Sequence, residues 1–160
     1  FMLNVKPMRQ TPSYCGPFCL KMVFDYYGKE IDEKEIAKVA GTIVNDTNVG
    51  TSPFDMVNAA KHYGFNVKYI ENSNLAQLRE FVVIKKIPVI INWFYENEGH
   101  YSVVVGIDKL NVYFIDPEDA HYKKISLSTF SKVWFDFKGE YIKSKNDLRL
   151  RPMIVVTRKK

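Results

Sequence analysis

The stretch Phe18–Tyr27 is apolar almost all the way round, with only Lys21 and Asp25 charged, four residues apart on one narrow face. A helix with so thin a polar stripe is covered by other elements on most of its sides. Its ends are punctuated as well. Pro17 stands where a first-turn proline costs no intrahelical hydrogen bond, and Gly28 is the residue type that most readily ends a helix. The chain therefore predicts a buried central helix that begins at or just after Cys15, with the rest of the fold built around it.

At 160 residues, with 46% apolar and 26% charged side chains, the chain is sized for one globular domain and is not composed like a disordered one. Cys15 and Cys19 are too few for a disulfide framework. The longest apolar run, Ile87–Phe94, is broken by Pro88 and Asn92 and falls short of the roughly 18 residues a membrane helix needs. No secretory signal pattern is visible, although Phe1 ahead of Met2 leaves room for an upstream segment that has been removed. With two cysteines placed for reactivity and no visible export signal, the expected compartment is the cytoplasm.

The net charge of +5 is not spread evenly. Residues 138–160 carry eight Lys or Arg against Glu140 and Asp147, whereas residues 1–137 carry fifteen basic and sixteen acidic side chains. A neutral body argues against a nucleic-acid surface, and a charged chain end is most simply a solvated one. The expected organisation is a domain over 1–137 and a basic C-terminal extension over 138–160 with a last strand in it.

Patterning along the chain predicts helices first and strands second. Ile31–Ala40 reads as a short amphipathic helix closed by Gly41, and Thr51-Ser52-Pro53 caps another that runs to Tyr63. In that helix Asp55, Asn58, Lys61 and His62 are expected on the wet arc, and Phe54, Met56, Val57, Ala60 and Tyr63 on the buried one. Phe65–Ile70 alternates as a strand, and Asn74–Lys86 carries a helical stripe of Leu75, Leu78 and Val82. Val89–Tyr95, Tyr101–Ile107, Val112–Ile115 and Met153–Thr157 are β-branched and aromatic-rich strands, with a helical turn at Thr129–Trp134. The class is α+β.

Cys15 is the sharpest chemical feature. A thiol in the first turn of a helix faces unpaired N–H groups and the positive end of the dipole, an environment that favours the thiolate near neutral pH. Gly16 removes a side chain beside the sulfur, room for a substrate backbone. The competing account is a structural cysteine, since free Cys is among the most buried residue types. His100 follows a glycine and opens a strand, and Asp116 closes the next one before Pro117. A connection through Asp108, Lys109 and Leu110 sets residue 102 opposite 116, with residue 100 one diagonal step away, about 7–8 Å between Cβ atoms. An even-numbered loop turns Asp116 to the other face, so this reading commits to an odd loop or a bulge. Gln10, five residues before Cys15, is placed to donate to an oxyanion together with the Cys15 N–H.

Taken in order, Gln10-x4-Cys15-Gly16-Pro17-x-Cys19-Leu20-x-Met22-Val23, Tyr26-Tyr27-Gly28, Gly99-His100-Tyr101-x-Val103-Val104-x-Gly106-Ile107 and Ile115-Asp116-Pro117 resemble the papain-like cysteine peptidases. The likeness is to the bacteriocin-processing (double-glycine leader) peptidases and their stand-alone relatives, and it covers about residues 4 to 136. It implies a papain-like fold, a central N-terminal helix on an antiparallel sheet. It also implies Cys15 as nucleophile, His100 as base, Asp116 as its orienting carboxylate and Gln10 as oxyanion donor. A peptide or protein substrate is implied, with no metal and no organic cofactor. Tyr14 and Phe18 depart from the family pattern and are expected to flank the cleft.

Two other classes fit the same residues: a non-catalytic peptide-binding or regulatory module of this fold, and a thiol-based acyltransferase. A zinc site from Cys15, Cys19 and His100 lacks a fourth ligand and the paired spacing of structural sites. Cys19 is expected in the core and His121 on the surface. Trp93 and Trp134 fit either core or cleft wall, and Tyr95–Gly99 either a rim over the site or a plain loop.

Overall fold

The computed structural model describes residues 2–11, 14–44, 49–95 and 98–160. The expected central helix forms as α1, Cys15–Tyr26, and buries every residue from Gly16 to Phe24 except Lys21. Its end is a Schellman turn: Gly28 N–H donates to Asp25 O and Lys29 N–H to Phe24 O, with Gly28 at φ +82. Lys21 Nζ donates to the Ile31 carbonyl, 2.7 Å away, tying α1 to the segment that leads into α2, Glu33–Ala40. A short two-stranded ladder follows, β1 at Ile43–Val44 and β2 at Val49–Gly50.

Helix α3, Pro53–His62, is capped by Ser52, whose hydroxyl accepts from Asp55 N–H at 3.1 Å. Its buried side is Met56, Ala59 and Ala60, but Phe54 is 72% exposed rather than buried. The reason is angular. At about 100° per residue Phe54 lies about 200° from Met56, inside the polar arc with Asp55 and Asn58.

Strand β3 is Phe65–Ile70. The helix expected over 74–86 forms in two parts: α4, Leu75–Arg79, with an Asn74–Gln77 capping box, and a wide π turn over Glu80–Ile84. The widening coincides with the β-branched run Val82-Val83-Ile84, which crowds an α turn. Leu78 and Val82 still reach the core.

The strands that follow are β4 at Val89–Tyr95, β5 at Glu98–Ile107, β6 at Asn111–Asp116 and β7 at His121–Ser126. Helix α5, Leu127–Val133, leads to β8 at Phe135–Phe137, which pairs with β9 at Leu148–Leu150. The chain ends in β10, Met153–Arg158. The main sheet is antiparallel with order β3-β10-β4-β5-β6-β7. The last strand thus lies inside the sheet, and Met153 to Val156 are buried, so the basic C-terminal stretch has a core strand at its centre and is not wholly a solvated end. Helix α1 packs on β5, and α3 on β3.

The core runs between helices and sheet. Trp93 and Trp134 both belong to it, with their indole N–H groups satisfied by Ser102 Oγ and the Pro152 carbonyl. Phe24 joins α1 to β3 by stacking on Phe65, ring centroids 4.6 Å apart and planes 3° apart. Phe24→Ala should cost about 3–5 kcal/mol of unfolding free energy, because a fully buried ring leaves a cavity its neighbours fill only in part. Urea titration checks it; a loss below about 1 kcal/mol would mean the α1–β3 contact is not a packing anchor.

Candidate active site

The β5–β6 hairpin decides whether His100 and Asp116 meet. Its turn is even-numbered: Asp108 N–H donates to Asn111 O, Asp108 Oδ1 accepts from the N–H groups of Leu110 and Asn111, and Ile107 pairs with Val112. Left alone, that parity would send Asp116 to the opposite face. A β-bulge between Val104 and Gly106 then shifts the register by one, so that Val104 pairs with Phe114 and Val103 with Ile115. Continued one step, this sets Ser102 opposite Asp116. His100 Nε2 stands 2.7 Å from Asp116 Oδ1, with the two residues 4% and 1% exposed.

Electrostatics sharpen the pair. Burial alone would lower the His100 pKa, but hydrogen bonds to Asp116 and to the Cys15 side chain, with the charges of both, push it from its ordinary 6.5 up to about 10. For Asp116 burial pulls upward, and the bond from His100, the Glu118 N–H and the charges of His100 and Lys123 bring the net shift down. An ionised carboxylate only accepts, so Nε2 carries the proton between them. The other ring nitrogen, Nδ1, is left for Cys15.

Cys15 is the first residue of α1 and is half-buried. The cap residue, Tyr14, makes no side-chain hydrogen bond to the helix head, and the first turn holds no acidic residue, so among the described residues neither offsets its dipole. Gly16 serves packing rather than access. A Cβ there would meet Met56 Sδ at 2.9 Å and Thr51 Cβ at 3.2 Å, so its bareness lets α1 close on the start of α3. Of the two departures from the family pattern, Tyr14 keeps surface beside Cys15, while Phe18 is buried at 6% exposure.

Gln10 N–H donates to the Pro117 carbonyl at 2.6 Å, which ties the segment before α1 to the turn just after Asp116. Its Oε1 is buried without a hydrogen-bond partner among the described residues. Cys19 is fully buried, and burial first, then the charges of Cys15 and Asp116, drive its thiol well above the ordinary range. His121 is exposed on β7. Of the rim read over Tyr95–Gly99, Glu96 and Asn97 lie outside the described residues, Tyr95 closes β4, and Glu98 and Gly99 open β5.

The zinc set of Cys15, Cys19 and His100 does not assemble. Among the described residues the group within ligand reach is His100, Asp116 and Glu118, with atoms within 4.8 Å of one another, and two of these are already hydrogen-bonded. Two further side chains adjoin the pair: Tyr95, from the segment read as a rim or a loop, and Lys123, which the sequence reading missed. Tyr95 stacks on His100, ring centroids 5.8 Å apart, and Lys123 Nζ lies 3.5 Å from Asp116 Oδ2. The missed signal was the strand His121–Ser126: its register pairs Asp116 with His121 and Phe114 with Lys123, which puts Lys123 on the face of Asp116.

The sequence pattern of the Peptidase C39 family matches residues 5–138. The chain belongs to the peptidase C39 family. Among curated relatives, the Lactococcin-G-processing and transport ATP-binding protein LagD of Lactococcus lactis is 25% identical over 126 residues, 79% of this chain and 17% of LagD. The C39 chain thus spans about a sixth of that relative's length. The solved peptidase domain of Streptococcus ComA, a bi-functional ABC transporter involved in a quorum sensing pathway, has a TM-score of 0.72 at 21% identity, covering 98% of this chain and 100% of that one. A double glycine motif protease from an AMS/PCAT transporter, solved in complex with the leader peptide, has a TM-score of 0.72 at 20% identity, covering 99% and 94%. These likenesses fix the fold of this C39 chain as papain-like α+β, helices against one large antiparallel sheet. No helix among the described residues is long and apolar enough to cross a membrane.

Proposed function

We propose that this chain is a cysteine peptidase that cleaves a leader peptide after a double glycine, with Cys15 as nucleophile, His100 as base and Asp116 as its orienting carboxylate. The observation that carries the reading is the buried 2.7 Å His100–Asp116 pair, whose ring is electrostatically coupled to the Cys15 thiol at the head of α1. Three groups in that order are what a thiolate–imidazolium nucleophile requires. Family membership supports the substrate class, since C39 members cleave double-glycine leaders.

The cycle follows from the groups. The Cys15 sulfur attacks the scissile carbonyl carbon, and the C=O electron pair moves to oxygen. The Cys15 N–H and the Gln10 amide donate to that oxyanion. Collapse expels the amine, which leaves with the proton held on His100, and a thioester remains. His100 then takes a proton from water as its oxygen attacks the thioester, and the acid is released with the thiol pair restored.

The experiment is incubation with a synthetic peptide containing an internal Gly-Gly junction, products read by mass. One cut after the second glycine is expected. An intact peptide, or a product carrying an added amine in place of water, would overturn hydrolysis in favour of the binding-module or acyl-transfer readings respectively. Gln10→Ala should keep the cut but slow it by about 10²–10³, the usual effect of losing one oxyanion donor. An unchanged rate would remove Gln10 from the role.

A further inference from the structure

The buried pair has a second tier that the cycle above does not use. Asp116 gives Oδ1 to His100 and to the Glu118 N–H, while Oδ2 faces the Lys123 ammonium at 3.5 Å. Lys123 reaches it from β7, where the ladder sets it on the same face. The ammonium is held by a 2.7 Å ion pair with Asp119, lies 3.4 Å from the Tyr95 hydroxyl and sits 5.8 Å from the Tyr95 ring centroid. That ring stacks on His100 at an interplanar angle of 26° and on Trp93 at 14°. One cation therefore touches both of the groups that hold the imidazole.

We propose that Lys123 is a positioning residue of this site, acting on His100 through the Asp116 carboxylate and the Tyr95 ring. The inference rests on the peptidase reading. Its physical basis is the charge balance around a carboxylate that is 1% exposed. Among the described residues five ionisable groups face Asp116 besides Lys123: His100 from β5, His121 opposite it on β7, Cys19 from α1, and Asp119 and Glu118 from the turn that follows it. The two carboxylates oppose its ionisation, and against them stand the His100 hydrogen bond and the Lys123 ammonium, while His121 is exposed to solvent. Removing Lys123 makes Asp116 take up its proton at higher pH, and a neutral Asp116 no longer supports the imidazolium that keeps Cys15 ionised. A residue that merely completed an outer strand would leave that titration where it is.

The test is the pH dependence of Cys15 alkylation by iodoacetamide, read by mass, in the parent protein and in Lys123→Met, Lys123→Gln and Lys123→Arg. Lys123 is 30% exposed on the outermost strand, so these changes leave the core untouched. In the Met and Gln variants the acid limb should move up by about half a unit to one unit, a roughly three- to tenfold slower reaction at its foot, with the rate near pH 8 little changed. Lys123→Arg, which keeps the charge, should restore the parent profile. Met and Gln profiles that superimpose on the parent overturn the proposal, as does an Arg profile shifted as far as Met. A parent protein whose Cys15 reacts only in the ordinary thiol range instead overturns the peptidase reading, and this inference with it.

Discussion

Cys15→Ala is expected to abolish peptide-bond cleavage, a fall in turnover on the order of 10⁶. Among the described residues Cys19 is the one other thiol. Cys19 is fully buried one turn along α1, with its thiol held protonated by burial and by the neighbouring negative charges. The fold should survive, since alanine is the best helix former and Cys15 is only half-buried at the helix head. Cleavage of a double-glycine peptide by parent and variant, with unfolding curves for both, measures this. A variant that folds and still cuts would exclude a thioester mechanism at Cys15. Cys19→Ala is the control, and should change turnover by no more than a few-fold.

His100→Ala should give the second largest effect, in stability as well as rate. Turnover should fall by about 10²–10⁴ from the loss of the general base alone. The variant also strands Asp116, a carboxylate 1% exposed, without its principal partner. Removing one member of a buried pair costs about 3–5 kcal/mol. The pH dependence has a definite sign. His100 is raised from 6.5 to about 10, so its contribution is complete below pH 6.5, declines as pH rises, and is gone above about 10. Asp116 is lowered from 3.8, so its contribution is present above that value and lost as acid protonates the folded carboxylate. The stability gap between parent and His100→Ala should therefore be widest between about pH 4 and 6.5 and shrink in both directions. Urea unfolding across that range gives the curve, and a gap that widened toward pH 10 would mean the pair is not ionic.

Much of this site was legible because its parts are punctuated locally. Pro17 and Gly28 bracket α1, so the position of Cys15 at a helix head could be read directly. The strand pattern around His100 and Asp116 fixed that they share a face only if the hairpin's parity is odd or is corrected. The structure corrects it with a bulge at Val104–Gly106, whose place no local residue pattern announces. Elements set by distant partners were harder to place. Met153–Thr157 read as a strand from its own residues, but its seat between β3 and β4 depends on Phe65–Ile70 and Val89–Ile91, which lie far away in the chain. Strand β7 carries Tyr122, Lys123 and Lys124 in a charged setting with no apolar alternation, so it read as surface and hid Lys123. Phe54 was misplaced because its hydrophobicity was weighed above its angle.

The most direct measurement is competitive alkylation of the two cysteines at about pH 5–6, where an unperturbed thiol is almost wholly protonated. The account predicts rapid labelling of Cys15, none of Cys19, and loss of the Cys15 signal in His100→Ala. Equal, slow labelling of both cysteines, unaffected by that substitution, would contradict it.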